Sequence, residues 1–152
     1  MCMICERIED IEQGRNPCFV TELRTGYLVL GDHQHFKGYS LFLCKQHISE
    51  LDQLDNSFRN QFLIEMADLA QIIKKVFHAD KMNIELLGNG ESHLHWHLFP
   101  RKKGDLGTYG HNGKGPVWWY PKELMYSDEE KITSFELEKW KEILKAELEK
   151  NL

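Results

Sequence analysis

The run Ser92-His93-Leu94-His95-Trp96-His97-Leu98-Phe99-Pro100-Arg101 constrains this chain more than any other. Histidine alternates with Leu94, Trp96 and Leu98 at a strict period of two. That period belongs to a β-strand, whose successive side chains point to opposite faces. The pattern predicts a strand over 93–99, stopped by Pro100, with three imidazoles on one face. The apolar residues then face a packed helix. Histidines at i and i+2 stand about 6.5–7 Å apart at the backbone. Such a row either holds a metal or surrounds a reacting phosphate. A polar face that merely titrates is the bland alternative, and it gains no packing. Three ligands from one strand do not readily converge on one ion. An imidazole of ordinary pKa, about 6.5, is a competent nucleophile near pH 7.

The rest of the chain supplies a sheet and helices to carry that strand. A short charged segment, weakly helical, ends at Gly14-Arg15-Asn16-Pro17. Cys18–Leu23 and Tyr27–Leu30 read as strands joined by a hairpin at Thr25-Gly26. Gly31–Gly38 is a polar loop, and Tyr39–Cys44 a third strand. Residues 48–53 predict a short helix. Asn56 or Ser57 caps a long one, with Phe58, Phe62, Met66, Leu69, Ile73 and Val76 along one face. Met82–Leu87 is the fourth strand and Asn89-Gly90 a turn. Residues 101–121 read as an irregular loop. Ser127 caps a final helix with Asp128, Glu129 and Glu130 in its first turn. Its apolar positions are Phe135, Leu137, Trp140, Ile143, Leu144 and Leu148. Adjacent strands with tight connections imply a mainly antiparallel five-stranded sheet and the α+β class.

Composition narrows the partners. The chain has 152 residues, and 19 Lys and Arg against 24 Asp and Glu give a net charge of -5. A nucleic-acid binder would usually be basic, so none is expected. A small anionic ligand in a local pocket fits. No run reaches the roughly 20 apolar residues of a membrane span, and the N-terminus lacks a signal-peptide pattern, so no membrane partner and a cytoplasmic location are expected. The thiols of Cys2, Cys5, Cys18 and Cys44 then read as reduced or metal-bound. Cys18 and Cys44 sit in β-rich runs as core thiols. Tyr109, Trp118, Trp119 and Tyr120 form an aromatic tail expected to pack, rather than to cover a base.

His93-Leu94-His95-Trp96-His97-Leu98-Phe99 resembles the signature of the histidine triad family. Gly38–His47 with Leu51 and Leu54 resembles that family's second strand-and-helix block, and Leu86–Gly90 the strand that leads into the triad. Pro100-Arg101 follows as in many members, and Gly115–Trp118 resembles the end of some bacterial ones. The resemblance spans about 2–101. It implies one domain over 1–152, with a family core at 1–101 and a loop and C-terminal helix extension at 102–152. It also implies a homodimer and a nucleotide hydrolase acting at the α-phosphate of an adenosine-type nucleotide. The substrate is then a dinucleoside polyphosphate or a nucleoside phosphoramidate, as in a bacterial branch of the family.

By that resemblance His95 is the nucleophile, and His97 donates to a phosphate oxygen. His93 completes the catalytic set. Asn89 and Gly90 resemble a phosphate-contacting pair, whose amides can bind oxyanions. Asp32 and Gln34 lie in the loop that meets ribose and base. The loop before the triad is shorter than in many members, which leaves Ser92, Glu91 or water as leaving-group acid. Tyr39 replaces a common histidine, removing a candidate partner for the triad. Cys2-Met3-Ile4-Cys5 is by itself a weak pair. Some bacterial members complete a structural zinc site with histidines that map to His47 and His93. No organic cofactor is implied. Two other functions stay open: a nucleotide-binding regulator with little turnover, and a zinc-stabilised interaction module.

Overall fold

A computed structural model describes residues 1–151. The elements run α1 (Met3–Glu12), β1 (Phe19–Glu22), β2 (Gly26–Leu30), β3 (Ser40–Cys44), α2 (Asn56–Val76), β4 (Lys81–Glu85), β5 (His95–Arg101) and α3 (Ser134–Asn151). The strands form one sheet in the order β1-β2-β3-β5-β4, every pair antiparallel. This is the expected α+β architecture.

Strand alternation sorts the sheet into two faces. Phe42 pairs with Trp96 across β3 and β5, and both rings lie near Phe62 of α2, at 5.4 and 6.1 Å between centroids. The predicted stripe of α2 is therefore core: Phe62, Leu69 and Ile73 are fully buried. Each contributes roughly 1.5–3 kcal/mol by leaving water. On the opposite face, Leu43 pairs with His95 and Leu41 with His97. A second apolar cluster gathers there around Phe36, Tyr39, Phe99, Leu106 and Val117.

Several boundaries moved. Asp55, not Asn56 or Ser57, caps α2, with its Oδ1 accepting from the Phe58 amide at 3.0 Å. The fifth strand starts at His95 rather than His93 and continues through Pro100. Ser127 does not cap the last helix. Asp128–Glu130 form only a single 3-10 turn. The chain then pairs with the 31–38 loop: the Gln34 amide donates to Glu130 O, and the Ile132 amide to Asp32 O. α3 starts seven residues after Ser127, with Thr133 Oγ1 accepting from the Glu136 amide. Within α3, Phe135 and Ile143 point outward instead of into the core.

Candidate active site

The site is built on β5. His95 and His97, two residues apart, share one face, and both are buried. The His95 Nδ1 lies 2.7 Å from the His93 carbonyl oxygen. A proton on Nδ1 makes that hydrogen bond and leaves Nε2 with its lone pair. The His97 Nδ1 lies 2.8 Å from the Tyr39 hydroxyl. Burial first, then the neighbouring His95 and Lys122, push the His97 imidazole down to about 3. Burial also raises the Tyr39 phenol well above its ordinary value. Both groups are therefore neutral at pH 7.

Tyr39 corrects the sequence reading, which counted it as the loss of a triad partner. It is the partner. Its ring stacks on Phe99 at 4.2 Å and presses against the backbone at Gly31. A β-carbon at Gly31 would lie 2.4 Å from Tyr39 Cδ2. The loop between them is held by Gln34. Its Nε2 donates to Gly31 O at 2.8 Å and Tyr39 O at 2.9 Å, and its Oε1 accepts from the Gly38 amide. Gly38 has a φ of 94°, the left-handed region that suits glycine. Gln34 is thus committed to the backbone, and the expected contact with ribose or base is withdrawn on that ground.

His93 also departs from the expected row of three. Its ring turns away from the other two and meets the N-terminal cysteines. The His93 Nδ1 is 3.5 Å from Cys2 Sγ, 3.5 Å from Cys5 Sγ and 3.2 Å from His47 Nδ1. Cys5 Sγ is 3.3 Å from His47 Nδ1. All four donor atoms lie within 4.8 Å of one another. Tetrahedral zinc, with bonds of about 2.3 Å to sulfur and 2.0–2.1 Å to nitrogen, sets its ligands roughly 3.3–3.8 Å apart. The donor set fits such an ion in type, number and spacing. The outer nitrogen of His93 supports it: Nε2 donates to Cys44 O at 2.7 Å, which leaves Nδ1 free to ligate.

A cavity of about 310 Å³ opens over His95 and His97. That is at the small end of ligand clefts, roughly 300–1,000 Å³. Asp32 and Glu91 line it. Met3, Ile4 and Arg7 of α1 form one wall, Trp118 and Tyr126 another. Asn89 and Ser92 instead line a neighbouring cleft of about 150 Å³, which His95 also borders. Gly90 is exposed in the turn beside it. Trp118 lies 4.6 Å from the His97 ring, and the Lys122 ammonium 3.6 Å from the Trp118 ring centroid. Glu85 pairs with His97 across β4 and β5. Burial raises its carboxyl, and the amides of Trp118 and Val117 and the Lys122 charge offset part of that rise.

Sequence reasoning missed Arg7, Trp118 and Tyr126 as site residues. Of these only Trp118 had a signal, its place in the aromatic tail, and that tail packs as expected while also walling the cavity. Trp119 is the exception, 74% exposed.

No curated protein matches this chain. Solved structures do. A histidine triad protein from Bradyrhizobium japonicum superposes with a TM-score of 0.70 at 21% identity, covering 85% of this chain and 88% of that one. A histidine triad protein from Marinobacter aquaeolei VT8 gives 0.69 at 25% identity, covering 88% and 90%. The diadenosine triphosphate hydrolase of Plasmodium falciparum gives 0.61 at 12% identity, covering 88% and 78%. The family model described as "HIT domain" matches residues 17–104, more than half the chain. The match takes in β1 to β5 and both cavity histidines, and the chain belongs to the HIT domain family.

Proposed function

We propose that this protein is a nucleotide hydrolase acting at the α-phosphate through a nucleotidyl-histidine intermediate. One observation carries the reading: the 2.7 Å contact from His95 Nδ1 to the His93 carbonyl, in a residue that lines the cavity. It holds the imidazole in the tautomer whose Nε2 is nucleophilic. His95 Nε2 attacks the α-phosphorus, and the bond from phosphorus to the leaving group breaks. The leaving group departs with a proton. Water then attacks the same phosphorus, releasing a nucleoside monophosphate and restoring His95. With Tyr39 donating to its Nδ1, His97 carries its proton on Nε2 and donates it to a phosphate oxygen as charge develops.

Of the candidate acids, Glu91 lines the cavity while Ser92 opens on the neighbouring cleft. Asn89, and the amides of its turn with Gly90, sit on that cleft side for phosphate or leaving group. The substrate class is an adenosine-type nucleotide bearing a polyphosphate or amine leaving group. A diadenosine polyphosphate fits the name of the Plasmodium falciparum neighbour. Zinc held by Cys2, Cys5, His47 and His93 supplies a structural cross-link between α1 and the strand of the nucleophile. We read 1–152 as one functional unit. It pairs as a homodimer through the free edge of β4, where Ile84 is 40% exposed and Leu87, two residues past the strand, is 39% exposed. Four free thiols suit a reducing compartment such as the cytoplasm.

The test is intact-mass spectrometry after acid quench, with adenosine phosphoramidate and diadenosine polyphosphate in separate samples. Wild type should show an adenylyl adduct or release AMP, and His95→Ala neither. Folded, zinc-loaded wild type that shows neither would turn the reading to a nucleotide-binding protein without turnover.

A further inference from the structure

Lys122 opens a single helical turn, Lys122–Met125, in the segment that walls the cavity with Trp118 and Tyr126. Two buried residues anchor that segment, Val117 and Met125, both in the cluster of Tyr39 and Phe99. The Lys122 backbone is therefore fixed beside the site while its side chain is exposed. Its ammonium sits 3.6 Å from the Trp118 ring centroid and 5.1 Å from that of Tyr126. Trp118 in turn stands 4.6 Å from the His97 ring. Among the described residues Lys122 makes no salt bridge. An ammonium parked on aromatic faces at an exposed site is held only weakly. A phosphate oxygen is a stronger, charge-assisted partner, and the flexible four-carbon stem lets the ammonium swing to it. We infer that Lys122 is a specificity-determining residue that takes the β- or γ-phosphate of the bound nucleotide and so favours a polyphosphate leaving group over an amine. This rests on the nucleotide reading above and chooses between its two leaving groups.

Charge and direction support the assignment. The other charged groups of the cavity are committed. Arg7 meets Asp32 at 3.5 Å, and Glu91 accepts from the Met3 amide at 3.1 Å. Two carboxylates against one guanidinium leave the lining short of positive charge for an anionic ligand, and His97 is neutral at pH 7. The Lys122 charge acts at the site, being one of the causes that hold the His97 imidazole down. His95 attacks from the sheet, and an in-line displacement sends the leaving group to the far side of the phosphorus. Trp118 and Tyr126 form a wall beside that path. The separations from His97 to Trp118 and from Trp118 to the ammonium bring Lys122 within reach of the second or third phosphate of a chain whose first lies on His97.

The experiment compares binding of AMP and α,β-methylene-ATP, whose bridge at the α-phosphate resists cleavage, by calorimetry at fixed ionic strength. Zinc-loaded wild type, Lys122→Met and Lys122→Arg run side by side. A charge-assisted contact is worth enough that wild type should prefer the triphosphate by about tenfold or more. Lys122→Met should shrink that preference to about threefold or less, with AMP affinity unchanged. Lys122→Arg, which keeps the charge, should retain most of it. In kinetics, Lys122→Met should lower kcat/KM for diadenosine tetraphosphate by about tenfold or more and leave that for adenosine phosphoramidate within about twofold. Equal losses on both substrates, with the binding preference intact, would mean that Lys122 only holds Trp118 against His97, and would overturn the inference. Wild type that binds AMP and the triphosphate equally would overturn it too and leave the hydrolase reading standing. A binding preference that depends on Lys122, in protein that turns over neither substrate, would uphold the inference and remove the hydrolase reading. Wild type that binds neither ligand overturns both.

Discussion

The Tyr39 hydroxyl sits 2.8 Å from the His97 Nδ1, and the Tyr39 ring stacks on Phe99 at 4.2 Å with the planes 2° apart. The phenol is fixed by packing before it touches the imidazole. Its hydrogen bond selects the His97 tautomer that points a proton outward. Tyr39→Phe keeps the stack and removes the selector. Steady-state kinetics on AMP phosphoramidate should show kcat down by about tenfold to a hundredfold, as for supporting partners of functional histidines, with KM little changed. A variant with wild-type kcat would deny Tyr39 the role.

His97 also sets a pH dependence. Its folded-state value lies at about 3, below the ordinary 6.5, chiefly through burial. The unfolded chain takes up the proton near 6.5 and the folded chain only near 3. Stability is therefore full above about pH 6.5 and declines as pH falls through this window. The slope from this one group is about 1.4 kcal/mol per pH unit. Urea denaturation of wild type and His97→Gln between pH 7 and pH 4 should show the steeper decline in wild type. Parallel curves would refute the assignment.

The Cys2, Cys5, His47, His93 cluster predicts about one zinc per chain in protein purified without a histidine tag, read by elemental analysis. Cys5→Ser should lose the metal. Because α1 is anchored by Cys2 as its N-cap, the same variant should expose α1 amides to hydrogen exchange. A chelator should lower the melting temperature of wild type but not of Cys5→Ser. Protein that takes up no zinc even when supplied with it removes the site.

Glu65 of α2 is buried and gathers the β1–β2 hairpin. It accepts from the Arg24 amide at 3.1 Å, the Thr25 amide at 2.9 Å and the Thr25 hydroxyl. Glu65→Ala strands those donors and should cost about 3 kcal/mol in urea denaturation. Glu65→Gln keeps one acceptor oxygen and should cost less. Equal stability of Glu65→Ala and wild type would show that water replaces the carboxylate.

Local patterns announced what local forces decide. The alternation in 93–99 and the stripe from Phe58 to Val76 identified β5 and α2 because burial of one face enforces the period. The acidic cluster after Ser127 looked like a helix start. It failed because the pairing of Glu130 and Ile132 with the 32–34 loop outbids a local cap, and nothing within a few residues signals that partner. The site divides the same way. His95 was legible from its strand. Tyr39 was misjudged, and Arg7 and the cavity role of Trp118 were missed, since each acts through residues more than 20 positions away. Gln34 looked like a ligand-binding amide because a sequence does not tell which polar side chains the backbone will claim.

The cavity walls have a consequence for how such a protein can be divided. The family match begins at residue 17 and ends at 104, whereas Ile4, Arg7, Trp118 and Tyr126 lie outside it. A fragment trimmed to those limits would keep the nucleophile and its tautomer anchor but lose two walls of the cavity. The two flanking segments act as walls on a bed of sheet. Swapping them between relatives, with the strand of histidines untouched, is the direct route to changing what the bed receives.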